Sequence, residues 1–130
     1  MQADTQAAPV SKAALWTGYV LSALPALLLI FSAMMKFIQP EGFEKGVTDL
    51  GWKVEVMKGL GVVELACAII YLIPQTAALG AILMTGYLGG AIATHVRLGE
   101  PVYMHVILGV MVWLGLYLRD RRVRGLIPLR

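Results

Sequence analysis

The sequence predicts an all-α protein: a four-helix transmembrane bundle with up-down topology. Three observations predict it. Hydrophobic residues make up 58% of the 130 residues and charged residues only 15%, against about 25% charged in an ordinary soluble domain. The apolar residues gather in four runs separated by polar, Gly- or Pro-containing breaks. Runs of this length satisfy their own backbone hydrogen bonds in lipid only as helices or closed barrels, and barrel strands are shorter and alternate.

Residues 1–14 open with MQADTQAAPVSK, which is polar, small and proline-containing, and read as a disordered tail. The membrane domain covers 15–119, with helices at about 16–38, 57–73, 77–97 and 102–118. The first run rises roughly 34 Å at 1.5 Å per residue, enough for a bilayer core, and Pro25 predicts a kink in it. Phe31-Ser32-Ala33 resembles a signal cleavage site, but the run is too long for a signal peptide and only Lys12 precedes it. A retained helix fits better. Residues 39–58 mix both charges with Phe43, Val47, Leu50 and Trp52, which suits either a short interfacial helix or lid, or a solvated loop. The second helix carries Glu64 and stops at the turn Pro74-Gln75-Thr76; the third stops at Gly99-Glu100-Pro101. Residues 120–130 are a basic tail. Trp16, Tyr19, Tyr71, Tyr103, Trp113 and Tyr117 stand near helix ends, where the headgroup level favours aromatic rings.

The third helix bears small residues at four-residue spacing: Ala77, Ala81, Thr85, Gly89 and Ala93 on one ridge, Gly86, Gly90 and Thr94 on its neighbour. Such ridges let backbones approach. Gly86, Gly89 and Gly90 are therefore expected to pack helices, and this helix to be the most buried, against two neighbours or a second subunit of a homo-oligomer.

The net charge of +3 is concentrated in Arg119, Arg121, Arg122, Arg124 and Arg130. Beside an apolar helix this run reads as a cytoplasmic anchor facing anionic lipid, not as a nucleic-acid patch. An even number of spans then places both termini in the cytoplasm. Lys45, Lys53 and Lys58 in the long loop pull the other way. The single cysteine, Cys67, excludes an intramolecular disulfide, a CxxC pair and a cysteine zinc site, and reads as an inert packed thiol.

Lys36, Glu64 and His95 lie inside the apolar runs, with Arg97 and His105 near their ends. Ionisable groups at such depth are costly and are kept where they pair or line a polar cavity. An up-down arrangement brings all five to one level, on the side of the long loop. Two readings follow. In one, Lys36 pairs with Glu64 to fix helix order, and Lys36 or Arg97 snorkels to headgroups. In the other, the group forms a ligand pocket or proton-handling site. His95 then exchanges protons with Glu64, because imidazole titrates near neutral pH, and Lys36 or Arg97 holds an anion or a quinone-like carbonyl. A metal site of Glu64, His95 and His105 lacks short ligand spacing and ranks low, so no metal is expected. No nucleophile–base pattern or phosphate loop is recognisable, so no catalytic residue is assigned.

Several stretches resemble the DoxX-like family: Gly61-Val62-Val63-Glu64-Leu65-Ala66-Cys67, Tyr71-Leu72-Ile73-Pro74-Gln75-Thr76, the run Leu79 to Arg97, and Leu116-Tyr117-Leu118-Arg119-Asp120. Gly89-Gly90 followed by Thr94-His95-Val96-Arg97 is the best single marker. The resemblance covers about Leu15 to the C-terminus. It implies a small four-helix protein of the bacterial inner (plasma) membrane. Through relatives of a membrane subunit of thiosulfate:quinone oxidoreductase, it also implies a quinone-linked accessory role with an oxidoreductase partner subunit. It carries no agreed catalytic residues. The competing class is a non-enzymatic transport, assembly or structural membrane subunit.

Overall fold

A computed structural model describes residues 11–126. The described residues are all-helical, with six α-helices and no strand. They are α1 (Lys12–Ile38), α2 (Phe43–Asp49), α3 (Met57–Leu72), α4 (Ala77–Arg97), α5 (Tyr103–Arg119) and α6 (Arg121–Leu126). Short 3-10 turns at Val54–Val56 and Pro74–Thr76 lead into α3 and α4.

Local chemistry sets the ends. The Ser11 side chain accepts the Ala14 N–H at 3.1 Å, so α1 starts at Lys12, four residues before the first membrane-length apolar run. The part of the expected N-terminal tail at 1–10 lies outside the described residues. At its other end, Gln39 adopts a left-handed φ of 50° and donates its N–H to Met35, and Pro40 follows. Between these ends α1 runs unbroken through Pro25, which is buried. Residues 39–58 hold a short helix, α2, rather than a plain loop, and Val47 is its buried anchor. The basic tail is also partly ordered. Asp120 Oδ1 accepts the N–H of Arg122 at 2.9 Å and caps α6, whose Val123 is buried. Residues 127–130, with Arg130, lie outside the described residues.

The four longer helices touch in a ring: α1 packs on α3 and α5, and α4 on α3 and α5. Ala26, Leu29, Ala68, Ala81, Met84, Val112 and Leu116 form the core. Large apolar side chains also face outward, among them Leu27 and Phe31 on α1, Val62 on α3, Ile82 on α4 and Val110 on α5. Buried polar residues among those described include Ser22, Glu64 and Thr94. Leucine outside and carboxylate inside is the reverse of a water-soluble arrangement and suits a lipid surround.

Among the described residues, two helices meet the length and composition needed to cross a membrane: Lys12–Ile38, and Pro74–Arg97 with its leading turn. Tyr103–Arg119 is apolar but shorter. Met57–Leu72, with 16 residues, rises about 24 Å against a hydrocarbon core of about 30 Å.

Burial departs from expectation in two places. α3, with six of its 16 residues buried, is more enclosed than α4, with six of 21. The close approaches are also made by other glycines than those expected. A Cβ on Gly80 would strike the Tyr71 backbone, one on Gly18 would come within 2.9 Å of the Gly115 carbonyl, and one on Gly115 within 2.6 Å of Ser22 Oγ. Around Gly86, Gly89 and Gly90 an added Cβ would meet nothing within 4 Å, so within the chain these three do not bring helices together.

Tyr71 is the second departure. It is fully buried instead of lying at a headgroup level. Its hydroxyl donates to the Val112 carbonyl at 2.7 Å and lies 2.9 Å from Ser22 Oγ. Arg119 donates to the Tyr71 carbonyl at 2.9 Å and lies over the Tyr71 ring at 4.8 Å. Trp16, Tyr19 and Tyr103 are exposed, as a belt requires. Trp113 donates its indole N–H to Thr85 Oγ1 at 2.7 Å.

Candidate functional site

A cavity of about 410 Å³ opens among the ends of α1, α3, α4 and α5 that lie near α2. Lys36, Glu64, His95 and His105 all line it. Three of the four longer helices deliver a polar group to it near their loop-side ends, and α3 delivers Glu64 two turns in, because each helix begins or stops at the breaks around residues 39–57 and 98–102.

Glu64 forms the floor. Its carboxylate accepts from Lys36 Nζ at 2.9 Å, and the two side chains are 3% and 15% exposed. Lys36 also donates to Ser32 Oγ, one turn earlier on α1, at 2.8 Å. The ammonium is thereby aimed, and the pair is anchored on two helices. Gly61, one turn before Glu64, gives α1 the room: a Cβ there would come within 3.2 Å of Lys36 and Phe37. Tyr87 lines the cavity from α4, as Glu64 does from α3.

The histidines meet between α4 and α5. The rings of His95 and His105 lie 4.6 Å apart between centroids, tilted by 42°. His95 Nδ1 lies 2.7 Å from the Ala91 carbonyl. A carbonyl only accepts, so Nδ1 carries the proton and Nε2 is left to accept or gain one. That Nε2 lies 3.8 Å from Glu100, which follows α4. His105 Nδ1 is buried without a hydrogen-bond partner among the described residues.

Arg97 is not part of this group. Its side chain turns outward and donates to the Leu50 carbonyl at 3.0 Å, tying the end of α4 to the segment after α2. The guanidinium lies at the very end of α4, where reaching outward is cheaper than turning into the cavity. Gly86 and Gly90 do belong here, but as lining residues whose missing side chains leave space. Gly89 lines a separate groove between α4 and α5. Among the described residues, no group of three or more His, Cys, Asp or Glu side chains is placed to hold a metal ion.

Sequence reasoning did not find Ser32, Tyr87, Thr94 or Trp52, all of which line the cavity. For Ser32 a signal existed, since it precedes Lys36 by one helical turn. Tyr87 precedes Gly90 by three residues and Thr94 follows it by four, which puts both on its face, and Trp52 carries no comparable signal.

The arrangement can do three things chemically. It presents a fixed ammonium and a phenol as hydrogen-bond donors, a carboxylate and two imidazoles as proton carriers, and an apolar surround of Leu28, Leu29, Leu60 and Leu108. The DoxX-like family matches residues 20–117 of the chain. Comparison with curated proteins and with solved structures gives no match.

Proposed function

The chain belongs to the DoxX-like family, and from that premise we infer an integral membrane protein whose polar cavity binds a quinone or a similar carbonyl-bearing small molecule. It acts as an accessory to membrane oxidoreductase chemistry. The observation that carries the reading is the cavity itself. About 410 Å³ of space is lined by Lys36, Glu64, Tyr87, His95 and His105 and walled by leucines, and small-molecule sites combine an apolar wall with a few placed polar groups in this way. Lys36 and Tyr87 donate to the carbonyl oxygens. His95 and Glu64 take up or supply the protons that accompany reduction and oxidation of a bound ring.

The four longer helices form an up-down transmembrane bundle in the bacterial inner membrane, with both termini cytoplasmic. The alternating order of contacts along the chain supports the topology, and the arginines of α5 and α6 support the orientation. α3 and α5 are short for a full span. The 3-10 turn at Val54–Val56 extends α3, and α6 extends the reach of α5.

One observation favours a second reading. Lys36 and Glu64 satisfy each other at 2.9 Å, as an ion pair that only fixes helix order would. In that case the chain is a structural, assembly or transport subunit. Binding separates the two. The Trp16→Phe, Trp113→Phe variant keeps Trp52, which lines the cavity, as the sole tryptophan. Titrated in nanodiscs with decylubiquinone, it is expected to show saturable quenching that Glu64→Gln and Tyr87→Phe weaken. Linear, unsaturated quenching with no response to either substitution would remove the ligand-binding reading.

A further inference from the structure

At the opposite end of the helices lies a second, unrelated cavity of about 680 Å³. Its floor is apolar: Leu15 and Tyr19 from the start of α1, Pro74 and Ala77 leading into α4, and Leu116 from α5. Its rim is charged, with Arg119, Arg121 and Arg122 against the single carboxylate of Asp120. We propose that this cavity is a binding site for an anionic phospholipid, its phosphate held by the arginine rim and an acyl chain laid along the apolar floor. The inference does not depend on what the polar cavity near Glu64 binds.

The arginines are positioned, not merely present. Arg119 is fixed by its bond to the Tyr71 carbonyl and its seat over the Tyr71 ring. Such a guanidinium keeps donors in a planar fork suited to phosphate. Asp120 is engaged in capping α6 through the N–H groups of Arg122 and Val123, which reduces its repulsion of an anion. Arg122 Nη2 lies 3.5 Å from Asp120 and its side chain is 78% exposed, so it turns to a ligand at little cost. Arg121 stands beside it on the same rim. Trp16 and Tyr19 pack edge to face with ring centroids 6.0 Å apart at this same end, marking it as a headgroup level. The floor decides between a lipid and free phosphate: Leu15 and Pro74, open beside the exposed Tyr19 ring and backed by the buried Ala77 and Leu116, give nothing to inorganic phosphate and meet an acyl chain.

The full chain, delipidated in detergent, is titrated with phosphatidylglycerol, with phosphatidylcholine and with inorganic phosphate, and binding is read by native mass spectrometry and thermal shift. Phosphatidylglycerol is expected to bind at least about tenfold more tightly than phosphatidylcholine. Each surface arginine contributes about fivefold toward an anionic headgroup. Arg121→Gln with Arg122→Gln should therefore weaken phosphatidylglycerol about 30-fold, and the distant Lys45→Gln should not change it. Raising salt should weaken binding to the unaltered chain, a check that needs no variant. Equal affinity for the two lipids would overturn the proposal, as would an unchanged double variant. Inorganic phosphate binding as tightly as the lipid would show a free-phosphate site instead.

Discussion

Removing the carboxylate from the Lys36–Glu64 pair should destabilise the protein more than any single isosteric change elsewhere in the cavity. At 2.9 Å and an effective dielectric of about 20, the two charges attract by roughly 6 kcal/mol before desolvation is counted. Breaking a buried pair by removing one partner typically costs about 3–5 kcal/mol, because the other charge is stranded. Lys36 is 15% exposed and keeps Ser32 Oγ, so Glu64→Gln should fall near the lower bound, about 3 kcal/mol. Lys36→Met strands the more deeply buried carboxylate and should cost at least as much. In the Lys36→Met, Glu64→Gln double variant neither charge remains. About 2 kcal/mol of the summed loss should then be recovered as coupling, within the range seen for residues in direct contact. Reversible unfolding of the four proteins in mixed detergent micelles, followed by circular dichroism, measures the cycle. Losses that add to within about 0.5 kcal/mol would refute direct pairing. A double variant that recovers this coupling but no longer binds decylubiquinone would separate the ligand role from the structural one.

Four further outcomes are expected. Gly80→Ala should cost about 1–3 kcal/mol, because its Cβ meets the Tyr71 backbone; Gly90→Leu should leave the unfolding midpoint nearly unchanged and instead fill the cavity and suppress ligand binding. Tyr71→Phe leaves the buried Val112 carbonyl and Ser22 hydroxyl without their partner and should lower stability by about 1–3 kcal/mol in the same unfolding assay. In a Cys67→Ala background, single cysteines at Gln2 and Arg130 should be labelled from the cytoplasmic side and one at Thr48 from the opposite side. Thr48 labelled together with Arg130 would contradict the topology.

Charge in an apolar run is visible in a sequence, and so Lys36, Glu64, His95 and His105 could be singled out and set at one level from helix order alone. Their distances could not. Whether Arg97 turns in or out depends on one backbone carbonyl, that of Leu50, 47 residues away. Spacing disclosed the small-residue ridge on α4 but not what it faces. Gly86 and Gly90 face a cavity and Gly80 faces a helix, and nothing in a four-residue period distinguishes them. Tyr71 looked like a belt residue because it closes an apolar run. Its burial follows from tertiary partners on α1 and α5 that no local pattern announces. α6 has a signal in the sequence, since Asp120 ahead of Arg121-Arg122-Val123 is an ordinary helix cap.

Tyr71 has a mechanical consequence. α3 and α5 are not neighbours in the ring of helices, yet they are tied across its middle at one end, through the Tyr71 hydroxyl to Val112 and the Arg119 guanidinium to the Tyr71 carbonyl. At the Glu64 end the ion pair joins α1 to α3 and the histidines meet between α4 and α5, both along the perimeter. The assembly therefore resembles a clothes-peg: cross-braced at the arginine end, compliant at the other. Any helix separation is expected at the Glu64 end, with the braced end as its pivot. Amide hydrogen exchange should rank the two halves of α3 accordingly, slow toward Tyr71 and faster toward Met57.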